Sequence, residues 1–97
     1  MPPDQDPSNK FAAFIEYGGP TDVVAGFSFE TATRNYYDAL KARGDFAVRC
    51  NNGGGHSPGP SPRRIAWMFF QAHPWGTSPS PWAGGLPAGF PLSDCAL

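Results

Sequence analysis

The sequence carries little charge of either sign. Seven Lys and Arg stand against eight Asp and Glu, a formal net charge of -1. A chain so balanced offers no electrostatic footprint for a phosphate backbone, and Arg63-Arg64 is its sole adjacent basic pair, so nucleic acid is not an expected partner. Apolar runs of the ~20 residues that span a bilayer are missing, and no membrane association is expected. The opening stretch from Met1 to Lys10 has neither the basic region nor the apolar region of a signal peptide. The chain as written therefore bears no secretory address, although an exported parent is compatible with it. Cysteine is nearly absent too. Cys50 and Cys95 are far apart with no C-x-x-C spacing, which gives no support to a zinc site or a thioredoxin-like motif. They are either two inert thiols or one bridge across about 45 residues, worth a few kcal/mol in an oxidising compartment. No other pattern calls for a metal or a cofactor.

What is present fits one small domain. A chain of 97 residues buries only about 60 to 65% of the surface it exposes when unfolded, so its core is marginal. Residues 1–9 are polar and proline-rich and read as a flexible segment. Phe11 to Tyr17 is a short apolar run stopped by Gly18-Gly19-Pro20, the pattern of a buried strand followed by a turn. Phe29, Thr33, Tyr36 and Leu40 recur at helical spacing, with Ser28 as N-cap, Lys41 and Arg43 at the negative end of the dipole and Gly44 as the stop. Phe46 to Cys50 reads as a second strand, and Asn51 to Gly55 as a turn. Ser61 and Pro62 then open a second helix with Ile65, Met68, Phe69 and Ala72 on one face. Strand, helix, strand, helix at these lengths predicts an α/β fold with a partial parallel sheet. Two strands alone would leave that sheet with bare edges. Residues 76–97 alternate Pro, Gly, Ser and aromatics without a period, an irregular tail held down by Trp75, Trp82 and Phe90.

Chemistry-bearing residues follow both strands. Gly18-Gly19-Pro20-Thr21-Asp22 comes after the first, and Gly53-Gly54-Gly55-His56 after the second. In parallel α/β sheets, ligands bind in the crevice beyond the carboxyl ends of the strands. An acid, a helix, a strand and a histidine in that order resemble the closing part of an α/β-hydrolase, whose triad runs Ser, then Asp or Glu, then His. The resemblance covers residues 10–75 and is nearest to esterases and polyhydroxyalkanoate-depolymerase-like hydrolases. It implies that Asp22 is the triad acid and His56 the general base. It also implies a nucleophile on a missing N-terminal hydrolase portion, and a small-molecule or polymeric ester as substrate of the full-length parent.

Two local matches to a nucleophile elbow fail on chemistry. In Gly55-His56-Ser57-Pro58-Gly59 the residue after the serine must donate a backbone N–H to the oxyanion, and Pro58 has none. Gly26-Phe27-Ser28-Phe29-Glu30 lacks the closing glycine and lies between the acid and the histidine. His73 reads as a helix C-terminal partner rather than a ligand, and Trp67, Trp75 and Trp82 as packing. Taken singly, Asp22 is a turn residue and His56 a loop residue; their pairing makes the triad reading. The competing expectations are a non-catalytic interaction module that associates with itself or a partner through open sheet edges, and a truncated remnant without function.

Overall fold

The computed structural model describes residues 10–57, 62–91 and 94–97; the readings for residues 1–9, Pro58, Gly59 and the Ser61 cap lie outside them. The elements are β1 (Ala12–Tyr17), β2 (Val23–Val24), β3 (Phe27–Ser28), α1 (Phe29–Ala42), β4 (Phe46–Asn51), α2 (Pro62–Ala72) and β5 (Cys95–Ala96). β1 and β4 pair in parallel from Ala12↔Phe46 to Tyr17↔Asn51. This is a small mixed α/β domain with a three-stranded sheet ordered β1-β4-β5.

Side chains alternate across the sheet, so each face takes one helix. On one face Ala13, Ile15 and Ala47 pack against Tyr37 and Leu40 of α1. On the other, Phe14, Val48 and Cys50 pack against Ile65 and Phe69 of α2, with Phe90 from the tail. The α1 stripe is Thr33, Tyr37 and Leu40; Tyr36, expected on the buried face, is only half-buried. Arg49 lies on the same face, with its guanidinium 4.9 Å from the Tyr37 ring centre, and burial pushes the Tyr37 phenol up. Ser28 caps α1 as expected, its Oγ accepting from the Thr31 N–H at 3.2 Å. The helix ends in a Schellman motif: the Gly44 N–H donates to the Lys41 carbonyl and the Asp45 N–H to the Leu40 carbonyl.

The tail corrects four expectations. It is not wholly irregular, because β5 pairs antiparallel with β4 through Arg49↔Ala96 and Cys50↔Cys95. The sheet is therefore mixed rather than parallel, and the outer edge of β4 is covered. A two-residue strand has no periodicity to read; what fixes it is the Cys50–Cys95 disulfide, with Cα atoms 4.1 Å apart. Phe90 and Trp82 do anchor the tail, their ring centres 5.1 Å apart, with Trp82 also 5.7 Å from Phe69. Trp75 does not, being 93% exposed. Among the described residues, no strand pairs with the outer edge of β1, and no helix is long and apolar enough to cross a membrane.

Between β1 and α1 lies a hairpin that no periodicity announced. β2 and β3 pair through Val23↔Ser28 and Val24↔Phe27, joined by Ala25 at φ +50° and Gly26 at φ +82°. Two successive left-handed residues form the turn whose twist suits a two-residue hairpin. Alanine in the first position conceals the usual Asn-Gly signal.

Candidate active site

Parallel pairing brings the loops after β1 and β4 to the same end of the sheet, as the strand order predicts. Two backbone bonds carry the ladder past the strands: the Asn52 N–H donates to the Tyr17 carbonyl at 2.8 Å, and the Gly55 N–H to the Gly18 carbonyl at 3.0 Å. At the second bond the chains are too close for any side chain. A Cβ on Gly18 would stand 1.7 Å from the Gly55 carbonyl oxygen. Replacing Gly18 by Ala is therefore expected to separate the loops, at a cost of about 1 to 3 kcal/mol for overpacking against backbone. Chemical denaturation measures the loss, and a stability within ~0.5 kcal/mol of the parent would contradict the close approach.

The first loop turns at once, the Asp22 N–H donating to the Gly19 carbonyl at 3.0 Å. The Asp22 carbonyl accepts the Phe29 N–H at 2.8 Å, which fixes the acid to the start of α1. Its side chain points inward and is buried, the residue being 5% exposed. One carboxylate oxygen accepts the Gly18 N–H at 2.9 Å. The other stands 2.9 Å from His56 Nδ1. The Gly18 N–H chiefly, and then the His56 contact, hold the Asp22 carboxyl below its ordinary value of 3.8 against burial, which acts the other way.

The histidine arrives on the second loop, which two side chains shape. Asn51 Oδ1 accepts the Gly53 N–H at 2.9 Å, and Asn52 Oδ1 the Gly54 N–H at 2.7 Å. His56 then lies against Phe29, with ring centres 4.8 Å apart. An ionised carboxylate can only accept, so the imidazole proton sits on Nδ1 and the Nε2 lone pair is left for another group. The His56 side chain is 58% exposed and that of Asp22 7%. The two face an open depression of about 460 Å³ lined by Glu16, Tyr17, Phe29, Asn52, His56 and Ser57 among others. A buried acid orienting a solvent-facing base is an arrangement that can take a proton from a hydroxyl at Nε2.

None of the described serines is placed to be that hydroxyl. Ser57 Oγ donates to the Gly54 carbonyl at 2.8 Å, and Ser28 Oγ is spent as the α1 cap. The chain's second histidine does meet a serine: His73 Nε2 is 2.6 Å from Ser80 Oγ. That pair is a structural tie. His73 Nδ1 is 2.8 Å from the last-turn carbonyl of Phe69, its ring stacks on Phe69 and Phe46 at 4.3 and 5.3 Å, and Ser80 Oγ accepts the Trp82 N–H at 3.0 Å. Pro81 follows the serine and offers no N–H to an oxyanion. The contact also sits beside Ala12 and Phe46, at the amino end of the sheet. Ser80 stands between prolines and gave no signal of this role. Among the described residues no three His, Cys, Asp or Glu side chains gather to hold a metal.

Sequence reading did not single out Phe29, Glu16 or Asn52 as parts of this depression. Glu16 had one available signal: it is the lone charge in the apolar run Phe11–Tyr17. No family model, curated protein or solved structure matches the chain.

Proposed function

We propose that this chain supplies the acid and general base of a serine hydrolase acting on carboxylic esters, and that it corresponds to the closing segment of an α/β-hydrolase fold. Asp22 is the acid and His56 the base. The nucleophilic serine and the oxyanion-binding N–H groups come from outside the described residues. The observation that carries this reading is the contact at 2.9 Å between a buried carboxylate and the Nδ1 of an exposed imidazole.

The chemistry follows from that contact. A serine hydroxyl hydrogen-bonded to His56 Nε2 loses its proton to the ring as its oxygen attacks the ester carbonyl. The imidazolium is stabilised by Asp22, which keeps its own charge. Nε2 then returns the proton to the departing alkoxide, and a water activated at the same nitrogen releases the acid from the acyl-enzyme. Small-molecule and polymeric esters both suit an open depression. The Cys50–Cys95 bridge fits a parent that folds in an oxidising compartment.

The isolated chain is expected to show no ester turnover above background and no labelling by a fluorophosphonate probe. A polypeptide that also carries the serine is expected to label stoichiometrically and to lose labelling when His56 is replaced by Ala. Labelling of Ser57, Ser28 or Ser80 in the isolated chain would overturn this placement of the nucleophile.

One observation favours a second reading, a module that binds by strand addition. The six-residue β1 has no partner on its outer edge among the described residues, and no Pro or Lys interrupts it. Folded oligomers that grow with concentration would support it.

A further inference from the structure

Besides Asp22–His56 and the two backbone bonds, a side-chain tie joins the histidine loop to the end of β1 at the mouth of the depression. Asn52 Nδ2 donates to Glu16 Oε1 at 2.6 Å, a charge-assisted bond between residues 36 apart in sequence. The same carboxamide acts on the histidine loop with its other atoms. Its Oδ1 accepts the Gly54 N–H at 2.7 Å, and its Nδ2 also reaches the Ser57 carbonyl at 3.4 Å. Asn52 thus holds the loop on both sides of His56 and is itself held by β1, the strand that leads to Asp22. Both residues are half-buried and line the depression.

We propose that Glu16 and Asn52 are a positioning pair for the general base, fixing the loop that aims His56 Nδ1 at Asp22. This rests on the reading of His56 as base, but acts through the loop rather than on substrate. A histidine flanked by Gly54, Gly55 and Ser57 has no packing of its own to select a ring orientation, apart from Phe29 on one side. The carboxamide supplies what packing does not: an acceptor for one loop N–H and a donor anchored to a rigid strand. Donor and acceptor are assigned uniquely, because an ionised Glu16 only accepts and the nitrogen of Asn52 only donates.

The test exploits that polarity in the intact 97-residue chain, with His56 ring nitrogens observed by NMR. Asn52→Asp keeps the oxygen that accepts from Gly54 but sets two carboxylates face to face. It is expected to abolish the exchange-protected Nδ1–H signal and to give a mixture of the two neutral tautomers. Glu16→Gln, whose side-chain oxygen still accepts, is expected to retain the signal. The double variant Glu16→Gln/Asn52→Asp reverses donor and acceptor across the same gap; it relieves the carboxylate repulsion but not the loss of the bond to the Ser57 carbonyl, and is expected to recover part of the signal that the single Asn52→Asp loses. Unchanged Trp82 and Phe90 resonances show that each variant keeps its fold; a variant that fails this check is replaced by Glu16→Ala, which removes the partner without repulsion and is expected to lose the signal likewise. Retention of the Nδ1–H signal in folded Asn52→Asp or Glu16→Ala, or failure of the double variant to recover any of it, overturns the proposal. The readout needs no nucleophile. If the ester-hydrolase reading fails while the signal responds as described, the hydrolase reading alone is lost.

Discussion

Replacing Asp22 by Asn in a polypeptide that carries the complete triad is expected to lower turnover by roughly 10⁴-fold, with substrate affinity little changed. The reason is a conflict over one oxygen. In the parent, one carboxylate oxygen accepts the Gly18 N–H and the other the His56 Nδ1–H. An asparagine has one oxygen and one NH2. The Gly18 N–H is buried and fixed in the backbone, and leaving it unpaired is costly, so it takes the oxygen. The amide NH2 then faces His56 and makes Nδ1 an acceptor, which moves the ring proton to Nε2, where the serine must deliver its own. Imidazole remains, but in the tautomer that cannot act as base. Kinetics of the variant across pH check this, and a loss under ~10-fold would contradict the assignment of Asp22.

The same two bonds give the site a pH dependence with a definite sign. Asp22 titrates below its ordinary value of 3.8 in the folded chain. The stability it contributes is therefore present above that value and is lost as pH falls through the folded-state value. Acid unfolding of the parent should show this loss, and Asp22→Asn should lack its share of it.

The second large effect concerns the Cys50–Cys95 bridge. Reducing it, or replacing both cysteines by alanine, is expected to cost about 4 kcal/mol, the chain-entropy value for a loop of this size; the cysteines are 45 residues apart. At about 4 to 8 °C per kcal/mol for a domain near 100 residues, the midpoint should fall by roughly 15 to 30 °C. The consequence reaches the site through β4. Without the bridge β5 has two residues of pairing to hold it, and the Asn51 N–H, which donates to the Asp94 carbonyl at 2.8 Å, loses its partner next to the histidine loop. Cys50 and Cys95 are also buried, in the cluster with Val48 and Phe69. Calorimetry with and without reductant measures the effect; a shift below ~5 °C would contradict it.

Much of the frame was legible because each element carried its own local signal. Phe11–Tyr17 was a short apolar run stopped by Gly18-Gly19, Phe46–Cys50 alternated between Gly44 and the Asn51–Gly55 turn, and α1 announced its cap at Ser28 and its stop at Gly44. Parallel pairing followed from the helix between the strands, and with it the meeting of the loops that carry Asp22 and His56. What could not be read depends on contacts without a local pattern. β5 exists through a disulfide and two residues. The β2–β3 hairpin turns on Ala25 in a conformation its side chain disfavours. Trp75 reads as an anchor by composition alone, yet projects into solvent, whereas Trp82 is held by Phe69 and Phe90 by Phe14 and Trp82. At the candidate site, Asp22 and His56 were visible as residues after strands, whereas Glu16 and Asn52 were not. A hydrogen bond across 36 residues leaves no trace in spacing, and the need for glycine at position 18 lies in the Gly55 backbone that faces it.

The most direct test of the site is the protonation pattern of His56 in the folded chain, read from its two ring nitrogens by ¹⁵N NMR above the pH where the ring is charged. A carboxylate bound to Nδ1 predicts the Nδ1–H tautomer, a slowly exchanging Nδ1 proton that vanishes in Asp22→Asn, and an Nε2 that carries none. The Nε2–H tautomer, or a ring indifferent to Asp22→Asn, would contradict an acid–base pair at this site.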